Sequence, residues 1–199
     1  MRIKRYQRSP DDSSRQRAEI AAAADGRGVD GRVCGAHCTT LCPHCGSSLC
    51  QCLCSPQCEQ AAQALSSDPA FPIETGITPL VFEMKRSGFF EPCWSCEGHA
   101  KPDGTLWKAP TVWFYAQASA HVRLLASGLA NASHRLSTPW RVVVTYSDPD
   151  NPETTYALEP AATLDGSPSL TALQGDAGAI ALALRAWVKE EARGLQRGL

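Results

Sequence analysis

The chain has 199 residues, 43% of them hydrophobic, and a formal net charge of −1. That apolar content is enough for one ordinary core, which excludes disorder of the chain as a whole. The near-balanced charge excludes a globally basic nucleic-acid binder. The anomaly is ten Cys, eight of them between Cys34 and Cys58.

Residues 1–33 carry eight basic and five acidic residues and few large apolar ones. They read as a flexible basic and polar tail, with a short helix at Arg15–Ala24 suggested by the Ala run. The cluster Arg2, Lys4, Arg5 and Arg8 is the one place where nucleic acid or an acidic partner is suggested, and a solvated tail is the plainer reading. This stretch has no apolar region of signal-peptide length, and no run of 18 apolar residues occurs anywhere. No membrane span is expected, and a cytoplasmic setting with reduced thiols follows. Arg outnumbers Lys 14 to 5 and Ala is abundant, a usage that suits a GC-rich bacterial genome.

Residues 34–58 form a Cys-rich module whose only large aliphatics are Leu41, Leu49 and Leu53. So small an apolar set makes no core, and the module is expected to fold around metal–thiolate bonds. The thiols pair by spacing: Cys34 with Cys38, Cys42 with Cys45, Cys50 with Cys52, and Cys54 with Cys58. Two to four intervening residues let a turn aim two sulfurs at one ion, and eight thiolates suffice for two four-Cys zinc sites. A shared-thiolate cluster stays open as an alternative, because Cys50, Cys52 and Cys54 fall at every second residue. His37 and His44 are reserve ligands or loop residues.

Residues 59–199 read as an α+β domain. A short helix at Gln60–Leu65 leads into a Pro-containing link. Thr78 then Pro79 reads as N-cap and first helical position, with Gly88 as the stop. Pro102–Asp103–Gly104 is a turn, and Thr111–Ala116 (TVWFYA) a buried strand. Ala118–Leu136 is helical, with Val122, Leu125 and Leu129 on the apolar face. Trp140–Tyr146 and Thr154–Leu158 form a hairpin around an Asp- and Pro-rich turn. A terminal helix spans about Leu170–Leu195, with Leu173, Ala177, Ile180, Leu184 and Trp187 at helical period. This order predicts an antiparallel sheet with helices packed on one face.

Within that domain Cys93, Cys96 and His99 form a second metal-ligand group at knuckle spacing. Its fourth ligand is drawn from the N-terminal module, His121 or water. A protein ligand closes the site and makes it structural, whereas water leaves it open for catalysis. For the open case Glu97 and His121 are the candidate general bases. Asp148 and Asp150 are explained by turn chemistry alone. Trp94, Trp107, Trp113 and Trp140 are assigned to core packing, since their surroundings are not basic. No phosphate loop, nucleophile elbow or paired-His helix is present.

Two further alternatives concern the module. Cys38-x3-Cys42-x2-Cys45 resembles the cluster motif of radical S-adenosylmethionine enzymes, but the following elements do not alternate as that family's βα barrel requires. Other iron–sulfur ligation is not separable from zinc by spacing. Cys50, Cys52 and Cys54 also resemble metallothionein usage, although a storage protein needs no folded domain behind it.

The segments PCWSCEGH, LWKAPTVWFY and VVVTYSDPDNPETTYALEP, with the Cys module before them, resemble an uncharacterised family of cysteine-rich bacterial proteins. That resemblance covers most of the chain after residue 33. It implies a bacterial cytosolic setting and supplies no catalytic residue. The sequence therefore predicts a zinc-binding protein of interaction or regulatory type, holding two or three Zn2+ and an unidentified protein partner. A metalloenzyme open at Cys93, Cys96 and His99, or an iron–sulfur protein, is the alternative.

Overall fold

A computed structural model of the chain describes residues 10–26, 73–147, 154–161 and 168–197. The expectations for Cys34–Cys58, His37, His44, the helix at Gln60–Leu65 and the turn carrying Asp148 and Asp150 lie outside the described residues. In chain order the elements are α1 (Pro10–Asp25), α2 (Thr78–Arg86), β1 (Phe90–Cys96), β2 (His99–Ala100), β3 (Leu106–Lys108), β4 (Thr111–Ala116), α3 (Ser119–Ala132), a 3₁₀ turn (Ser133–Arg135), β5 (Trp140–Ser147), β6 (Thr154–Pro160) and α4 (Leu170–Arg197). None of these helices is long and apolar enough to cross a membrane.

Four strands make one antiparallel sheet in the order β1-β4-β6-β5. The β5–β6 hairpin pairs Val142 with Leu158 and Arg141 with Glu159, and β4–β6 pairs Val112 with the same Leu158. Side chains alternate across each strand, so Val112, Phe114, Leu158, Trp140 and Val142 fall on one face. That face meets Leu80 of α2, Leu124 and Leu129 of α3, and Ile180 and Leu184 of α4 in a single core. The α+β architecture with helices on an antiparallel sheet is thus the observed one. The opposite face carries Trp113, Thr111, Arg141 and Glu159 in register. β2 and β3 form a separate two-stranded ribbon closed by a tight turn in which Gly104 donates to the Lys101 carbonyl.

Several local expectations shift. The N-terminal helix is longer than Arg15–Ala24, and Ile20, Ala23 and Ala24 are buried in the core. Residues 10–25 therefore are not a flexible tail. Small Ala side chains let this helix approach the core closely, a contact that counting large aliphatics overlooks. The N-cap of α2 is Ile77 rather than Thr78, whose hydroxyl instead donates to the Glu74 carbonyl at 2.8 Å. The buried face of α3 is Ala120, His121, Leu124, Leu125, Gly128, Leu129 and Ala132, with Val122 only half-buried. Of the four Trp assigned to the core, only Trp140 is buried, while Trp94, Trp107 and Trp113 are exposed.

Candidate metal centre

The site is built where β1 ends. Gly98 adopts φ +83°, a backbone conformation that L side chains avoid. It turns the chain between Cys96 and His99, so that the two side chains three residues apart converge. Ile73 to Gly76, the loop that starts α2, lies against this turn. The Glu74 carboxylate accepts from the Glu97 backbone N–H through Oε2 at 2.7 Å. The Glu97 carboxylate returns the contact, accepting from the Gly76 N–H at 2.7 Å. Gln174 of α4 then donates to the Glu97 carbonyl at 3.2 Å.

This reciprocal clamp leaves Oε1 of Glu74 facing His99. His99 Nε2 stands 3.5 Å from that oxygen and 3.4 Å from Cys96 Sγ. The three ligand atoms all lie within 4.8 Å of one another. A tetrahedral zinc ion with ordinary Zn–S, Zn–N and Zn–O bonds needs its S···N and N···O edges at about 3.6 and about 3.4 Å. The spacings of 3.4 and 3.5 Å match both. Cys96 is buried, whereas the His99 and Glu74 side chains are partly exposed. The sulfur therefore sits at the base of the group and the imidazole and carboxylate at its rim. The exposed indole of Trp107 stands beside it, its ring centre 5.9 Å from that of His99.

Of the expected ligands, the structure thus brings Cys96 and His99 together and leaves Cys93 apart. Cys93 is the extra residue of a β-bulge, since Pro92 pairs with Phe114 and Trp94 with Trp113. It is exposed and outside the three-atom group. Partial desolvation pushes its thiol above the ordinary range, helped by the Glu91 carboxylate and opposed by a backbone hydrogen bond. Among the described residues, both cysteines are free thiols. Glu74 was missed by sequence reasoning. It lies 22 residues before Cys96, next to no Cys or His, and an acid preceding a helix is ordinarily read as dipole compensation.

Neither candidate base stands free at this centre. The Oε2 of Glu97 is held by Gly76. His121 is fully buried on α3, its ring tilted 35° against Phe89 with centroids 4.5 Å apart. Among the described residues neither ring nitrogen has a hydrogen-bond partner, although Glu19 Oε2 stands 3.5 Å from Nε2. Burial pushes this imidazole below its usual range, with the Glu19 carboxylate opposing the shift.

Among the described residues, a different carboxylate is the most heavily used one in the core. Asp176 of α4 accepts from the Ser137 N–H and hydroxyl at 2.8 and 2.7 Å, the Thr138 N–H at 3.2 Å and the Trp140 indole N–H at 3.3 Å. It fastens the α3–β5 connection to α4 and has no part in the metal centre. No family model matches the chain, and no curated protein or solved structure matches it.

Proposed function

We propose that the chain is a zinc-binding protein of interaction or regulatory type. One ion is held by Glu74, Cys96 and His99, and about two more by the eight thiols of Cys34–Cys58. The observation that supports this reading is the triad itself. Three ligand types common at zinc converge from two segments of chain, and the two edges that meet at His99 Nε2 have lengths that a tetrahedral ion needs. The clamp between Glu74 and Glu97 fixes the carboxylate from behind, as outer-shell partners of metal ligands do. The fourth position is taken by water or by a thiolate of the Cys-rich module, whose last cysteine, Cys58, precedes Glu74 by 16 residues in the sequence. Neither Glu97 nor His121 stands ready as a general base, which favours a binding role over hydrolysis. A cytoplasmic, bacterial setting accords with the thiol content and with the family resemblance.

The test is metal content after purification without air. The full chain is expected to hold about three zinc ions and no colour, and His99→Ala or Glu74→Ala to hold one fewer. With cobalt in place of zinc, the absorption arising from Cys96 thiolate should vanish selectively in Cys96→Ser. Wild-type zinc content in His99→Ala refutes the triad, and brown protein with acid-labile sulfide refutes zinc.

A further inference from the structure

We propose that a groove on the outer face of the sheet binds a small organic anion with a flat apolar body. The groove has a volume of about 480 Å³, within the range of roughly 300–1,000 Å³ common for small-molecule sites. Three outward-facing side chains from adjacent strands line it: Thr111 of β4, Glu159 of β6 and Arg141 of β5. The β3 ribbon supplies a wall of Leu106, Trp107 and Lys108.

Three features specify the ligand. First, Trp107 is 69% exposed, although indole is among the side chains with most to gain from burial. Its flat face is a ready stacking surface. Second, among the described residues the groove holds two cations and one carboxylate, a net charge of +1. Arg141 donates through Nε at 3.2 Å and one Nη at 2.9 Å to a single oxygen, Oε1 of Glu159. Among the described residues, no other partner engages its remaining donors, so the guanidinium is oriented yet still able to receive an anion. Third, Lys108 Nζ stands 4.5 Å from the centre of the Trp94 ring, which holds the ammonium at the rim. One aromatic wall, one oriented guanidinium and a net charge of +1 match a planar carboxylate or sulfonate. A neutral ring or a polyanion fits less well. The groove shares Trp107 and Lys108 with the surroundings of the candidate metal centre, and the inference does not rest on zinc.

The test is calorimetric titration of the full chain with 1-anilinonaphthalene-8-sulfonate, alongside its uncharged counterpart N-phenyl-1-naphthylamine. One sulfonate per chain is expected, with the uncharged compound at least about tenfold weaker. Arg141→Ala should weaken sulfonate binding by about fivefold or more. Glu159→Gln should tighten it by about twofold to fivefold, because it removes the competing carboxylate. Trp107→Ala should weaken both compounds, and Leu182→Ala, at an exposed position on α4, should change neither. Circular dichroism and thermal midpoints establish that each variant is folded. Equal affinity for the two compounds overturns the proposal. So does a shift of Arg141→Ala and Glu159→Gln in the same direction, or indifference to Trp107→Ala.

Discussion

Gly98 and Gly104 share one backbone angle, φ +83°, and differ only in what surrounds them. A Cβ at Gly104 meets nothing within 4 Å. A Cβ at Gly98 falls 2.8 Å from Leu170 Cδ1, 2.8 Å from Pro110 Cδ and 2.9 Å from the Lys108 carbonyl oxygen. The left-handed conformation costs an L residue about 1–2 kcal/mol. Gly→Ala regains about 0.4–1 kcal/mol by restricting the unfolded chain. Gly104→Ala should therefore destabilise by about 1 kcal/mol. Gly98→Ala carries the same conformational cost plus overpacking of about 1–3 kcal/mol, because the Lys108 carbonyl cannot retreat without disturbing its pairing with His99. The expected total is about 2–4 kcal/mol. Urea unfolding in the presence of a chelator measures this difference free of any contribution from bound metal. Two variants destabilised equally, within about 0.5 kcal/mol, would falsify the packing argument. The same pair probes the centre. Gly98→Ala displaces Cys96 against His99 and should lower zinc affinity by about tenfold or more, while Gly104→Ala leaves it unchanged.

Asp176→Ala removes the acceptor of four hydrogen bonds and strands buried donors from Thr138 and Trp140. It should destabilise by about 3–4 kcal/mol and lower the melting temperature by roughly 10 °C. A fall under about 3 °C means that water replaces the carboxylate. Stability should also decline on the acid side through His121. Its folded-state pKa is lowered, so the unfolded chain binds the proton more readily. Stability is full above the unfolded value of about 6.5 and is lost as pH drops from there towards the folded pKa. His121→Leu should flatten that part of the stability profile, and an unchanged slope assigns the dependence to another group. Loss of one zinc ion in His99→Ala and the opposed effects of Arg141→Ala and Glu159→Gln complete the set.

The sheet was legible because its rules are local. TVWFYA gave β4 its observed limits, and the β5–β6 hairpin follows from two β-branched runs flanking turn residues. On α3 Leu125 and Leu129 are buried as expected, and only Val122 was misplaced, because His121 was read as a candidate ligand or base rather than a core residue. Its imidazole packs, tilted, against Phe89 and takes a core position that a hydrophobe usually fills, rotating the buried stripe by one residue away from Val122. The same kind of error, in the other direction, sent three Trp to the core. Trp94 and Trp113 lie on the open face of the sheet, side by side at 5.1 Å, and alternation alone places Trp113 opposite its buried neighbours Val112 and Phe114.

The metal group shows where spacing stops being informative. A two-residue gap between Cys93 and Cys96 brings ligands together only when the chain between them turns. Here that interval is strand with a bulge, so Cys93 is carried out of the group. The equal gap between Cys96 and His99 contains Gly98 at positive φ, and there the chain does turn. The same spacing thus has opposite outcomes within seven residues, decided by one glycine. Glu74 was beyond reach for a different reason. Its place is set by packing of the α2 approach against the Glu97–Gly98 turn, through two backbone-to-carboxylate bonds spanning 21 and 23 residues. Such contacts leave no periodicity in a sequence. Glu97, by contrast, was noticed for its proximity to His99 and read as a candidate base. Its carboxylate holds the loop that presents Glu74, so Glu97→Ala should weaken zinc binding without removing a ligand. Glu97→Gln retains a side-chain carbonyl oxygen able to accept from Gly76 and should restore most of the affinity. Failure of that rescue would assign Glu97 a direct role at the metal.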